Sequence, residues 1–379
     1  MGEENLMEKK TIAIVINTSW NIFNFRLGLL KALQEEGYKI VAIAPRDEYS
    51  EKLEALGFEY HNIDINNKGT NPLEDAKLVF AFYKLYKKIA PDVILQYTIK
   101  PNIYGSMVAG MLGIPVISNI SGLGTVFLND SLSSKVARFL YKVALKVPKK
   151  VFYQNAHDRE LFVQSNLVKA EKTELLPGSG IDIEKYKPLK EKQENNNTLR
   201  FLFIARLVKD KGLVEYVEAA KQITRSSTEF AILGAFYLGN PTAIKENEMQ
   251  KWEREGAIKY IGTSDDVMSV ISEYDCIVLP SYREGLSRVL LEAASMAKPI
   301  ITTSVPGCKE VVDDGVNGYL CEVKDADSLA EQMRKMLKLT YEERSEMGRR
   351  GREKVVKEFN EKIVIKKYEE TITSILKAP

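Results

Sequence analysis

Residues 276–292 read Cys276-Ile-Val-Leu-Pro-Ser-Tyr-Arg-Glu-Gly-Leu-Ser-Arg-Val-Leu-Leu-Glu292 and combine an apolar run, a loop and a helical pattern. The run Cys276–Leu279 predicts a buried strand, and the spacing from Leu286 onwards predicts a helix. Two carboxylates, Glu284 and Glu292, stand eight positions apart. Because this is slightly more than two helical turns, Glu292 is expected to point back along the side of the helix that starts beside Glu284. The stretch therefore predicts a strand–loop–helix unit with two acids on one side.

The backbone between these acids is a predicted anion site. Gly285, Leu286 and Ser287 lie where the helix is expected to begin, and the first N–H groups of a helix have no acceptor within it. A phosphate site flanked by two carboxylates suits a ligand with a diphosphate in the middle and hydroxyl-rich sugars at both ends. That description fits a nucleotide-sugar.

Apolar runs and helical patterns alternate along the whole chain. Phe25, Leu29, Leu30 and Leu33, for example, recur at helical spacing after the first apolar run. The expected strands are Ile12–Ile16, Ile40–Ala44, Val93–Tyr97, Val116–Ser118, Val151–Tyr153, Phe201–Ile204, Phe230–Leu233, Ile258–Ile261, Cys276–Leu279 and Ile300–Thr302. Continuous apolar strands separated by helices predict parallel sheets that are covered on both faces.

A polar, turn-rich stretch at 187–199 is the expected linker between two domains. We therefore predict an α/β protein with two doubly wound, Rossmann-like domains, residues 7–186 and 200–358. Ligands are expected in a cleft between the domains, at the carboxyl ends of the strands.

Composition excludes several classes of protein. The 379 residues are 45% hydrophobic and 28% charged, which is typical of a soluble globular protein. Three cysteines without paired spacing indicate a reducing compartment, and two histidines are too few for a His-rich metal site. The start of the chain is acidic, unlike a secretory signal, and no apolar run approaches the ~20 residues that span a bilayer. We expect a soluble or peripheral cytoplasmic protein.

The formal net charge of +2 hides a basic block between Lys77 and Lys150, where eleven Lys/Arg accompany only two acids. Residues 132–147 predict an amphipathic helix in which an apolar stripe, including Val136, runs beside a basic stripe of Lys135, Arg138, Lys142 and Lys146. Either the apolar stripe is core and the cations are solvated, or the helix contacts anionic lipid headgroups. Little aromatic interleaving argues against nucleic acid as the partner.

Two cations follow the first strand of the second half. Arg206 and Lys211, in Ile204-Ala-Arg-Leu-Val-Lys-Asp-Lys-Gly212, can reach the crevice of the two glutamates and neutralise a diphosphate leaving group. The alternative is a solvated charged loop. Asp325 and Asp327 form an acid–x–acid pattern but precede a helical run, so we expect them to cap that helix and predict neither a metal nor another cofactor.

Several motifs follow one another along the second half: Arg206…Lys211-Gly212, Pro280-Ser281…Glu284-Gly285…Glu292-Ala293, Gly307-Cys-Lys-Glu310 and Asn317-Gly318. In this series the chain resembles the donor half of glycosyltransferase family 4, which has the GT-B fold. The resemblance implies a retaining transferase in which Arg206 and Lys211 bind the donor diphosphate. It implies that Glu284 contacts the donor sugar and Glu292 the ribose. It also implies that the final helix, within 359–379, crosses back onto the first domain.

The first half carries a signature of its own: Tyr97-Thr98-Ile-Lys100-Pro101, Tyr104-Gly105, Ser121-Gly-Leu-Gly-Thr125 and Gly178-Ser-Gly-Ile-Asp182. It resembles the branch that builds capsule, O-antigen and N-glycan precursors on undecaprenyl diphosphate, including the type that adds N-acetylgalactosamine to bacillosaminyl-diphospho-undecaprenol. The resemblance implies a UDP-sugar donor, a polyprenyl-diphosphate-linked acceptor and a peripheral position on the cytoplasmic face of the inner membrane. It implies acceptor or sugar contacts at Lys100, Asn119, Ser121, Gly122 and Gly124.

Two departures from the family pattern bear on the mechanism. The first strand–helix loop, 17–24, has no glycine, so Asn17 and Thr18 are expected to meet the donor through their side chains. Residues 118–124 contain no histidine. Either Asn119 or Ser121 assists the acceptor hydroxyl, or the departing phosphate oxygen takes its proton, which we favour. Other functions left open are a nucleotide-sugar epimerase of the same fold, a transferase with another hexose or a soluble acceptor, and a binding protein without turnover.

Overall fold

The computed structural model describes residues 9–66, 71–123, 132–189, 198–223, 227–237 and 239–377. The chain divides into two compact units. The first consists of Met1–Ser179 and Glu361–Pro379, and the second of Gly180–Asn360. The expected linker falls mainly outside the described residues, and Leu199 already belongs to a strand.

The first unit is built on a seven-stranded parallel sheet. Its strands are β1 (Thr11–Val15), β2 (Lys39–Ala44), β3 (Glu59–Asn62), β4 (Val93–Tyr97), β5 (Val116–Ile120), β6 (Lys150–Tyr153) and β7 (Thr173–Leu175). They lie in the order β3-β2-β1-β4-β5-β6-β7, so the direction of winding reverses between β1 and β4. Its first seven helices are α1 (Ser19–Phe25), α2 (Leu27–Glu35), α3 (Glu48–Ala55), α4 (Pro72–Ile89), α5 (Ser106–Leu112), α6 (Leu132–Ala144) and α7 (Ala156–Gln164).

The second unit has a six-stranded parallel sheet in the order β10-β9-β8-β11-β12-β13. Its strands are β8 (Leu199–Ile204), β9 (Thr228–Leu233), β10 (Lys259–Tyr260), β11 (Cys276–Leu279), β12 (Ile300–Thr303) and β13 (Gly318–Cys321). Its helices are α8 (Leu213–Lys221), α9 (Glu246–Arg254), α10 (Val267–Ser272), α11 (Arg288–Ser295), α12 (Ala326–Lys338) and α13 (Tyr341–Glu358). Both sheets therefore have the doubly wound topology that the sequence predicts.

The last helix, α14 (Glu361–Lys377), belongs to the first unit. Its apolar face, with Val364, Tyr368 and Ile372, is buried in the core beneath the first sheet. The Lys367 ammonium group donates to the Glu174 carboxylate of β7 at 2.7 Å. The predicted return of the final helix is confirmed.

Every predicted strand overlaps an observed strand, but three short strands were not predicted. These are β3, β7 and β13, and each lies at the edge of its sheet. The sequences of β3 and β7 contain few apolar residues, and the apolar run of β13 is too short to distinguish from a loop.

The helix predicted across Phe25–Leu33 is broken in two. The first part, α1, ends at Phe25, and α2 begins at Leu27. Arg26 stands between them with φ −129° and ψ −3°. The apolar spacing continues through this residue, which is why the pattern does not reveal the break.

The three cysteines, Cys276, Cys308 and Cys321, are buried and free. Burial raises the pKa of all three thiols, and those of Cys308 and Cys321 reach about 12. These side chains therefore pack as small apolar groups. Within the described ranges, no helix is both long enough and apolar enough to cross a membrane.

Candidate functional site

Three loops meet at the carboxyl end of the second sheet. They follow β8, β11 and β12, which are neighbours in the strand order. The Tyr282 N–H donates to the Asp210 carbonyl at 2.9 Å, and the Ser287 N–H donates to the Gly307 carbonyl at 2.8 Å. Winding reverses between β8 and β11, and in open parallel sheets such a reversal marks the ligand crevice. The predicted donor residues of the second half thus come from loops that are bonded to one another.

Two glycines let these loops approach closely. Gly212 has φ +75°, and a Cβ atom there would lie 2.0 Å from the Pro280 carbonyl oxygen. Gly307 has φ +84°, and a Cβ atom there would lie 2.3 Å from the Glu284 carbonyl oxygen. A side chain at either position would strain the backbone and push the loops apart.

The side chains of Lys211 and Glu284 form an ion pair across two of the loops. Lys211 ends a short 3₁₀ turn after β8, and Glu284 lies between β11 and α11. Their side chains are 19% and 15% exposed. Water therefore screens the two charges only partly, and an incoming anion would compete with the carboxylate for the ammonium group.

Glu292 lies in the second turn of α11 and is held by residues that the sequence reasoning missed. The Arg288 Nε donates to Glu292 Oε1 at 3.0 Å, and its Nη1 donates to the Gly180 carbonyl at 2.9 Å. The Arg288 guanidinium carbon is 5.6 Å from the centre of the Tyr186 ring. Burial and then the charge of Glu292 raise the pKa of Tyr186 to about 12, so its hydroxyl stays protonated. The four-residue spacing of Arg288 and Glu292 is a signal that could have predicted this pair.

The start of α11 corrects the predicted anion site. The helix begins at Arg288 rather than near Leu286, with Ser287 as its N-cap. The Ser287 N–H is bonded to Gly307, so the expectation that it is free for phosphate was wrong. The first helical bond runs from the Leu291 N–H to the Ser287 carbonyl at 3.2 Å. The amides that helix geometry leaves without a helical acceptor are therefore those of the first turn after Ser287.

Arg206 is exposed and lies after β8. Its guanidinium carbon is 4.7 Å from the centre of the Tyr237 ring, which is a cation–π distance. No ion pair engages Arg206 within the described part of the chain. The aromatic ring therefore supports this cation and leaves its donors available to a ligand.

In the first unit, three predicted contact residues are already engaged. Asn17 is partly exposed after β1, whereas the Thr18 hydroxyl accepts from the Asn21 N–H at 3.1 Å and caps α1. The Lys100 ammonium group donates to Asp75 Oδ1 at 2.6 Å, at the start of α4. Asn119 is 1% exposed, and its amide nitrogen donates to the Tyr368 hydroxyl of α14 at 3.1 Å.

The remaining predicted acceptor residues follow β5. The Ser121 hydroxyl donates to the Asn119 side-chain oxygen at 3.2 Å, and Gly122 follows it with φ +147°. Gly124 lies outside the described residues. Roles for these residues in acceptor binding stay predictions.

The acid–x–acid pattern caps a helix as predicted. Asp325 accepts from the Ser328 N–H at 2.8 Å and is the N-cap of α12. Asp327 accepts from the Gln222 amide at 2.7 Å. In the described ranges, no three His, Cys, Asp or Glu side chains are grouped closely enough to hold a metal ion.

The helix α6 exposes both charge and apolar surface. Lys135, Lys142 and Lys146 are exposed, whereas Arg138 is half-buried. Val136 is 50% and Phe139 65% exposed. Of the two alternatives for the apolar stripe, the core one does not hold for Val136, which lies on a solvent-exposed part of α6.

The neighbouring helix α4 shows the same combination, and α5 adds a further exposed apolar side chain. On α4, Phe80 and Tyr83 are 58% and 38% exposed, and Lys84 lies 4.4 Å from the centre of the Phe80 ring. On α5, which contacts both α4 and α6, Met111 is 71% exposed. Exposed apolar side chains beside lysines are typical of surfaces that contact lipid.

Two doubly wound parallel sheets, with three joined loops at the carboxyl end of the second, are the architecture of the GT-B fold. The comparison with protein families agrees. Residues 11–155 match the glycosyl transferase 4-like model, and residues 185–354 match the model of glycosyl transferases group 1. The chain belongs to these glycosyltransferases.

Individual relatives are similar over most of the chain. The N,N'-diacetylbacillosaminyl-diphospho-undecaprenol alpha-1,3-N-acetylgalactosaminyltransferase of Campylobacter jejuni is 27% identical over 86% of this chain and 89% of its own length. The UDP-Gal:alpha-D-GlcNAc-diphosphoundecaprenol alpha-1,3-galactosyltransferase of Escherichia coli is 28% identical over 76% of each chain. A glycosyltransferase crystal structure from Rickettsia africae superposes with a TM-score of 0.80 at 18% identity, over 98% of this chain and 100% of its own.

Proposed function

We propose that the protein is a retaining glycosyltransferase that moves N-acetylgalactosamine from a UDP-sugar to an undecaprenyl-diphosphate-linked saccharide in bacterial N-glycan, capsule or O-antigen assembly. Two relatives support the lipid-linked acceptor, since both are named for transfer to a diphospho-undecaprenol saccharide. The choice of N-acetylgalactosamine follows the first of them.

The observation that carries the donor half of the proposal is the Lys211–Glu284 ion pair at the joined loops. A bound UDP-sugar supplies both kinds of partner that this pair needs: phosphate oxygens for Lys211 and sugar hydroxyls for Glu284. We assign the hydrogen bond from the ribose to Glu292, whose carboxylate is oriented by Arg288. On binding, Lys211 would exchange a carboxylate for a phosphate, and Glu284 would exchange its ion pair for hydrogen bonds from the sugar hydroxyls.

Transfer breaks the bond between the sugar C1 and the UDP phosphate oxygen, while the acceptor hydroxyl oxygen bonds to C1 on the same face. The proton of that hydroxyl passes to the departing phosphate oxygen. Negative charge grows on the diphosphate as the bond breaks, and Arg206, Lys211 and the first-turn amides of α11 stabilise it. These groups supply the charge that a metal would otherwise supply, so we propose that the reaction needs none.

The acceptor is held in a bilayer by its polyprenyl chain, and we propose that α4, α5 and α6 bind the cytoplasmic face of the inner membrane. Exposed Phe80 and Phe139 would enter the interface while Lys135, Lys142 and Lys146 meet anionic headgroups. This is a peripheral association.

One experiment tests substrate and reaction together. The protein is incubated with UDP-N-acetylgalactosamine, UDP-N-acetylglucosamine, UDP-galactose or UDP-glucose and a synthetic polyprenyl-diphosphate-linked saccharide in vesicles. Mass spectrometry identifies the product, and NMR gives its anomeric configuration. We expect a product with retained configuration from UDP-N-acetylgalactosamine. A changed UDP-sugar without acceptor would show an epimerase instead, and an inverted product would overturn the mechanism.

A further inference from the structure

Arg26 is a buried cation that the proposed mechanism does not use. It breaks the helix between α1 and α2 and is only 6% exposed. Its guanidinium carbon lies 4.5 Å from the centre of the Tyr97 ring, and Tyr97 is the last residue of β4. The side chain therefore reaches the carboxyl end of the first sheet, beside the point where winding reverses between β1 and β4.

This cation lacks the partners that a buried arginine ordinarily has. Among the described residues, the guanidinium group makes one hydrogen bond, from Nη1 to the carbonyl of the adjacent Phe25 at 3.4 Å. Its Nε is buried without an acceptor, and no carboxylate within the described ranges pairs with it. Burying a charged group without compensation costs free energy. An uncompensated buried cation is therefore expected where a bound ligand supplies the missing acceptors and counter-charge.

Two hydroxyl groups at the end of β4 have no hydrogen-bond partner among the described residues. They are the hydroxyls of Tyr97, the last residue of β4, and of Thr98, and both are buried. Burial raises the pKa of Tyr97, so its hydroxyl stays protonated. Thr98 also has φ +65°, a strained conformation for a β-branched residue. Strain and unused donors at one strand end are typical of a binding site.

We propose that Arg26, with the Tyr97 and Thr98 hydroxyls, binds a phosphate oxyanion at the carboxyl end of β4. The guanidinium group offers a fork of donors that matches phosphate, and the two hydroxyls add further donors. A neutral sugar would leave the buried charge uncompensated. The phosphate belongs either to the lipid-linked acceptor or to the sugar donor, and only this choice of source rests on the proposed function.

Binding is measured with purified full-length protein by calorimetry, using inorganic pyrophosphate, farnesyl diphosphate and UDP as separate probes. The test variant is Arg26→Met, which keeps the length and the contact with Tyr97 but removes the charge. The matched control is Arg46→Met: this arginine also lies against a tyrosine of the first unit, Tyr60, but is half-exposed and paired with Glu54.

We expect Arg26→Met to weaken pyrophosphate binding by about tenfold or more and Arg46→Met to leave it unchanged. Loss of farnesyl diphosphate binding with UDP binding retained assigns the site to the acceptor, and loss of UDP binding assigns it to the donor. Unchanged binding of all three probes overturns the proposal. No step of this test needs sugar transfer, so a failure of the proposed function would be seen separately.

The sign of the stability change distinguishes a ligand site from structural packing. Without ligand, removal of an uncompensated buried charge should leave the melting temperature of Arg26→Met unchanged or raised, whereas a purely structural arginine would lower it. Should Arg26→Met fail to fold, Tyr97→Phe removes one hydroxyl alone and should still weaken pyrophosphate binding. Wild-type affinity in a folded Tyr97→Phe protein, together with an unfolded Arg26→Met, would identify Arg26 as structural.

Discussion

Lys211 of the second unit and several cations of the first are held in different ways, although each unit also contains a cation of the other kind, Arg206 and Lys100. In the second, Lys211 is paired with Glu284 at the joined loops. In the first, Arg26 is buried without a carboxylate among the described residues, and Lys135 and Lys142 are exposed on α6. A paired cation can exchange its partner for a ligand without a large change in net charge. An unpaired cation can bind an anion without first losing a partner. If it is buried, as Arg26 is, its charge lowers the stability of the unliganded fold, and if it is exposed, as on α6, it can bind an anionic surface. We propose that Lys211 serves the transfer reaction, whereas Lys135 and Lys142 serve attachment to the membrane.

The largest expected effect is on turnover. Lys211→Ala should lower kcat/KM by about 10²- to 10³-fold, because the diphosphate loses a cation where charge develops. Steady-state kinetics with a UDP-sugar measure it. Lys209→Ala, in the same 3₁₀ turn but exposed, is the matched control. Near-normal turnover in Lys211→Ala would remove the basis for placing the chemistry in the second unit.

A slightly smaller effect is expected on membrane binding. Reversal of Lys135, Lys142 and Lys146 to Glu should lower partitioning onto anionic vesicles by about 10²-fold, since each nearby cation contributes ~1 kcal/mol. Cosedimentation measures the bound fraction, and transfer to a short-chain, water-soluble acceptor should persist.

The matched control for this surface carries the same change in net charge. Lys251, Lys259 and Lys335 are exposed lysines of the second unit, and their reversal to Glu should leave vesicle binding nearly unchanged. Equal loss in both triple variants would mean that only the overall charge matters, and the contrast between the units would disappear.

A smaller effect is expected on the binding of the donor in its ground state. Glu292→Gln should raise KM for the UDP-sugar by about tenfold with little change in kcat, because a charge-assisted hydrogen bond to ribose is weakened. Glu331→Gln, which alters an exposed four-residue pair with Lys335, controls for a change in helix charge. A drop in kcat at constant KM would instead assign Glu292 to the transition state.

The smallest effect is expected from metal removal. EDTA should leave turnover unchanged, and added Mg²⁺ should not increase it, because the cations of the second unit compensate the diphosphate. A strict Mg²⁺ dependence, measured in the same kinetic assay, would show that Arg206 and Lys211 are insufficient for this charge.

The central strands and the grouping of the candidate donor residues on joined loops could be predicted because each depends on local sequence. Buried runs such as Ile12–Ile16 and motif residues such as Glu284 are recognisable without knowledge of their neighbours. The edge strand β13, Gly318–Cys321, contains apolar residues, but a run of four residues is too short to distinguish from a loop. Arg26 lies inside an unbroken helical pattern, and its burial depends on contacts with Tyr97, 71 positions further along the chain. Long-range packing of this kind leaves no periodic trace in a single sequence.

The buried cysteines have a practical consequence for spectroscopy. Because Cys276, Cys308 and Cys321 are all inaccessible and burial disfavours their thiolates, the folded protein offers its own thiols poorly to maleimide reagents. A single cysteine introduced at Phe139, which is 65% exposed, would therefore react selectively. A polarity-sensitive dye at that position would report directly whether α6 moves from water into a bilayer.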